Sequence, residues 1–74
     1  MNLVLYVRED CHDCGKVIAH INANNSDVVV DDIDHPLDPN APKLFAAPAL
    51  CSDGELLAYG LDIIALLERI DRVR

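Results

Sequence analysis

Cys11 and Cys14 stand two residues apart, with His12 and Asp13 between them. Paired thiols at this spacing can do three things. They can cycle between dithiol and disulfide, supply half of a metal site, or sit together without chemical consequence. A metal site would need Cys51 and one of His12, His20 or His35 as further ligands, because zinc takes four S or N donors. No second CxxC and no HxxxH pattern is present, so no metal is expected. A redox pair needs one accessible thiolate and a second sulfur within reach of it. The elements around the cysteines decide whether those conditions can be met.

Leu3-Val4-Leu5-Tyr6-Val7 is a continuous apolar run and reads as a buried strand, ended by Arg8-Glu9-Asp10. Residues 10–13 carry helix-start chemistry, with acidic groups near the first turn. Val17, Ile18 and Ile21 follow Cys14 at helical spacing, and the segment from Asn22 to Ser26 ends that helix. Val28-Val29-Val30 begins a second strand that Ile33 extends. Strand, helix and strand in this span form a βαβ unit with parallel strands and a right-handed crossover. Pro36, Pro39, Pro42 and Pro48 exclude a long helix in the next segment and leave room for one turn around Lys43 to Ala46. Ala49-Leu50-Cys51 and residues 55–59 flank Asp53-Gly54, a strong hairpin signal. Gly60 breaks the fourth strand, and Leu61 onward is an amphipathic helix that frays at 72–74.

The chain has 74 residues and a formal net charge of −7. This length gives a single domain over residues 1–74. About half of the residues are hydrophobic, but only two Tyr and one Phe are aromatic, so the core must be aliphatic. The acidic balance disfavours nucleic acid and anionic membrane surfaces. No apolar stretch approaches the roughly 20 residues of a membrane span, and the N-terminal segment lacks a basic start. The odd number of cysteines argues against a stapled secreted framework. A soluble, cytoplasmic monomer is expected.

With Cys11-His12-Asp13-Cys14 at the start of the first helix, Pro48 opening the third strand and Gly60 before the last helix, the chain resembles the glutaredoxin family of the thioredoxin fold over nearly its whole length. The resemblance implies an α/β, glutaredoxin-type β-α-β-β-β-α order, a four-stranded mixed sheet and a shortened or missing middle helix. It implies that Ala47-Pro48 is cis and that the Ala47 backbone docks an extended substrate segment. Cys51 then lies three residues down the third strand as a buried free thiol. Arg8 stands where glutaredoxins often carry a basic residue, and Gly60-Leu61-Asp62 looks like the tail of their glutathione-binding Gly-Gly-x-Asp-Asp motif. Three positions depart from the family pattern. His12 replaces the usual Pro, Tyr59 stands at the first Gly, and Ile63 stands at the second Asp.

The function implied is a small dithiol–disulfide oxidoreductase, with Cys11 as nucleophile and Cys14 as resolving thiol. At a helix start, unsatisfied N–H groups and the dipole lower a Cys pKa from about 8.5 toward 7. Arg8, and His12 when protonated, add positive charge beside Cys11, while Glu9, Asp10 and Asp13 oppose it. Ala47, Pro48, Gly60, Asp62 and, at the rim, Tyr6 form the substrate side. Asp62 also reads as the cap of the last helix, Tyr6 also reads as core, and His20 and His35 read as surface residues. No tightly bound cofactor is expected. Disulfide-containing proteins are the expected substrates, and glutathione or thioredoxin reductase the electron source. The alternative is a non-catalytic thioredoxin-like binding module whose CxxC is incidental or holds a metal.

Overall fold

The computed structural model describes residues 2–24, 26–37, 39 and 41–73. The element order is β1 (Leu3–Val7), α1 (His12–Ala23), β2 (Val28–Asp32), β3 (Ala49–Ser52), β4 (Glu55–Tyr59) and α2 (Asp62–Val73). Asn25 and Arg74, at the expected ends of the two helices, lie outside the described residues. The strands form one mixed sheet in the order β2-β1-β3-β4. β1 pairs parallel with β2 and antiparallel with β3, and β3 pairs antiparallel with β4. This is the thioredoxin-like, glutaredoxin-type arrangement, with no middle helix among the described residues.

β1 is central, which explains its unbroken apolar run: both of its faces are covered. Leu3 and Leu5 point to one side, where they meet Leu50, Val17 and Ile21 of α1, and Ile63 and Leu67 of α2. Both helices therefore pack on the same sheet face. The other face holds a smaller cluster of Tyr6, Ala49 and Cys51, flanked by Val4 and Tyr59. Ile33, Ala41 and Leu44 of the proline-rich connection cover it in place of a helix. The single turn expected around Lys43 to Ala46 does not form; residues 45–48 are bends.

The turn chemistry follows the sequence closely. Ser52 pairs with Glu55 across a two-residue loop in which Asp53 and Gly54 both have positive φ, 52° and 83°. That is the geometry for which Asp-Gly is selected. A bulge shifts the β3–β4 register, so that Leu50 faces Ala58 while Cys51 faces Leu56. α1 ends where Asn24 donates both its backbone N–H (3.1 Å) and its side-chain amide (2.8 Å) to the His20 carbonyl. His20 is half-buried with Nε2 enclosed, not the open surface residue expected; its place on α1 turns it partly inward. His35 is exposed. Among the described residues, no helix is long and apolar enough to cross a membrane.

Candidate functional site

β1 ends at Val7, and the chain must then reverse onto the helix face within four residues. Asp10 makes that turn in the left-handed region, at φ 57°, which Asp tolerates better than most residues. Cys11 follows in extended conformation and is the N-cap of α1. Its Sγ accepts the backbone N–H of Cys14 at 3.1 Å, the bond that Ser or Asp usually accepts at this position. The expectation of a sulfur at a helix start is met in the most direct form: the sulfur is the cap.

Cys11 and Cys14 are joined by a disulfide, with their Cα atoms 5.2 Å apart. Cys14 is 3% exposed, whereas Cys11 is half-buried and reaches the surface. The asymmetry follows from the helix: Cys14 shares the inward face with Val17 and Ile21, and Cys11 precedes the first turn. A shallow cleft beside the disulfide is lined by Arg8, Asp10, Cys11, His12, Gly15 and Ile18, among others. His12 is exposed and is the first helical residue; Asp13 lies in the first turn.

The Ala47–Pro48 bond is cis, and Cys11 Sγ lies 3.8 Å from the Ala47 carbonyl oxygen. Pro48 is fully buried. Its carbonyl accepts the Gly60 N–H at 2.8 Å, which ties the end of β4 to the start of β3. Gly60 has φ 62° and turns the chain toward α2. Its carbonyl accepts the Ile63 N–H at 3.2 Å, and that of Leu61 accepts the Ile64 N–H at 3.1 Å. Asp62 is thus the first residue of α2, one place beyond the expected cap, because the preceding residues supply the first acceptors. Tyr6 takes the core alternative: it is 4% exposed and packs with Ala49 and Cys51 on the face away from the helices. Cys51 is buried and free, and burial pushes its thiol pKa up.

Arg8 lines the cleft, but its guanidinium is occupied. Nε donates to Asp34 Oδ2 at 3.1 Å and a terminal nitrogen donates to Oδ1 at 3.2 Å. The hydrogen-bonded pair raises the Arg8 pKa and holds the Asp34 carboxyl below its usual range. Sequence reasoning did not single out Asp34. Nor did it find that the Tyr59 hydroxyl accepts the Phe45 N–H at 3.4 Å, so that the residue in place of a glycine braces the segment leading to Ala47. Among the described residues, no group of three or more His, Cys, Asp or Glu is placed to share a metal ion.

The arrangement is a disulfide at a helix N-terminus, one cysteine half-buried and the other buried, next to a cis-proline turn. No family model, curated protein or solved structure matches the chain.

Proposed function

We propose that the chain is a small dithiol–disulfide oxidoreductase, a glutaredoxin- or thioredoxin-like electron donor to proteins that carry disulfides. The observation that carries this reading is Cys11: its sulfur is bonded to Cys14 and accepts the Cys14 N–H, and the residue lines the cleft. In the dithiol form, the same N–H and the positive end of the helix stabilise a Cys11 thiolate. That thiolate attacks one sulfur of a substrate disulfide, forms a mixed disulfide and releases the other substrate sulfur as a thiolate. The Cys14 thiolate then attacks Cys11 Sγ. The mixed disulfide breaks, the second substrate thiolate leaves, and the Cys11–Cys14 bond forms. Two electrons have passed to the substrate, and an external reductant returns them.

The reading extends to the reductant. Glutathione is an anion, and the cleft surroundings carry Glu9, Asp10 and Asp13. Arg8 is engaged by Asp34. Ile63, which stands where the family resemblance puts a carboxylate, is fully buried in the core and offers a ligand nothing. A protein reductase of the thioredoxin-reductase class with a basic docking face fits these charges better. The protein then works as a cytoplasmic monomer with no tightly bound cofactor.

The test is steady-state reduction of a small disulfide with NADPH and thioredoxin reductase, compared with glutathione and its reductase at matched concentration. Faster turnover with the protein reductase is expected. Turnover by neither system contradicts the enzyme reading, and equal or faster turnover with glutathione contradicts the choice of reductant.

A further inference from the structure

Arg8 is the only arginine or lysine lining the cleft among the described residues. It is therefore the permanent cation that an anionic thiol entering the cleft would meet. Asp34 already occupies it, through two parallel N–H···O bonds that match a carboxylate to a guanidinium.

The fold sets this meeting up. Val7 pairs with Asp32 in the parallel ladder of β1 and β2, and the Ile33 N–H extends that ladder by donating to the Val7 carbonyl at 2.9 Å. Arg8 and Asp34 follow immediately on the two chains, so the register delivers one beside the other. The Asp34 backbone is itself held: its N–H donates to Asp32 Oδ1 at 2.8 Å. The carboxylate is thus presented by an anchored turn.

We propose that Asp34 is a specificity-determining, positioning residue of the disulfide centre: by forking Arg8 it supplies internally the carboxylate that an anionic thiol would otherwise present, and so biases exchange toward neutral or basic partners. The inference rests on the redox reading and names the residue behind its charge preference. Asp34 touches no reacting atom; it acts through Arg8.

The chemistry that reads this out is reduction of the protein's own disulfide. A thiolate attacks one sulfur, the other cysteine leaves as a thiolate, and a second thiol molecule resolves the mixed disulfide to give the dithiol and an external disulfide. Rates are measured at low ionic strength with 3-mercaptopropionate (anionic), 2-mercaptoethanol (neutral) and cysteamine (cationic), each corrected for its thiolate fraction. The neutral thiol is the internal standard, because loosened structure changes all three rates together.

Asp34→Asn should raise the anionic-to-neutral ratio about 1.4- to five-fold, the range expected for an exposed ion pair. The gain should shrink in high salt. In an Arg8→Gln background the same Asp34 substitution should give less than half of that gain, because the cation it releases is gone. An equal gain in both backgrounds would mean that Asp34 acts only as a distant charge, and that result overturns the proposal. So does an unchanged ratio in a protein that all three thiols reduce. A disulfide that none of the thiols reduces overturns the redox reading and this one together.

Discussion

The Cys11 sulfur accepts the Cys14 backbone N–H at 3.1 Å, so the two cysteines are linked both by a covalent bond and by the first capping bond of α1. In the dithiol form the same N–H is expected to serve a Cys11 thiolate, which is a better acceptor than a disulfide sulfur. Cys14 stays behind it on the inward face. This geometry supports the proposed roles, Cys11 as nucleophile and Cys14 as resolving thiol.

Cys11→Ser should abolish reduction of substrate disulfides. Cys14→Ser should still attack once and then accumulate as a mixed disulfide, visible by mass spectrometry, with retained monothiol activity on glutathionylated substrates. Equal loss of the first attack in both variants would contradict the assignment.

His12→Pro should shift the redox midpoint. Proline is compatible with the first helical position, so the helix is retained. The change removes the imidazole that lines the cleft beside the cysteines. Charge effects at a helix end are worth about 0.3–1 kcal/mol, or about 7–20 mV for two electrons. The midpoint should move to a more negative value. No shift beyond error would remove His12 from the mechanism.

Tyr59→Phe tests the brace on the approach to Ala47. It keeps the ring packed beside Ala49 and Cys51 and deletes the acceptor of the Phe45 N–H. Loss of that bond is worth about 0.5–1.5 kcal/mol. Lys43 lies two residues before Phe45, so trypsin cleavage at Lys43 in the native protein reports the loosening. A rise of about five-fold is expected, and Tyr59→Gly should exceed it. Cleavage at the wild-type rate in Tyr59→Phe would show that the hydroxyl holds nothing.

Cys51 should be chemically silent. It is 1% exposed, its pKa is raised by burial, and it sits on the sheet face away from the helices. In the reduced native protein, iodoacetamide should label Cys11 rapidly and leave Cys51 unlabelled until denaturant is added. Rapid native labelling of Cys51 would contradict this placement.

Local signals carried much of this structure. Asp53-Gly54 announced the hairpin, the apolar run from Leu3 to Val7 the central strand, and residues 10–13 the helix start that makes Cys11 a cap. Pro36 to Pro48 announced the missing middle helix. What the sequence did not disclose depends on register between distant segments. Arg8 and Asp34 are 26 positions apart and meet only because β1 and β2 run parallel in one particular alignment. Three consecutive valines likewise conceal that β2 is an edge strand, with Val29 and Val30 exposed. Tyr59 could be read as a departure from a motif, but its hydroxyl finds Phe45 only after the proline-rich segment folds back over the sheet.

Whether Cys11 and Cys14 form a working redox couple is read by equilibrating the protein in redox buffers of known potential. The fraction of oxidised protein is read by alkylation and mass. A single reversible two-electron transition is expected, with a midpoint between about −180 and −270 mV, the span of catalytic dithiols such as protein disulfide isomerase, glutaredoxins and thioredoxin. A Cys11–Cys14 bond that does not open and re-form reversibly in such buffers, or a pair of cysteines that retains a metal ion instead of oxidising, would contradict it.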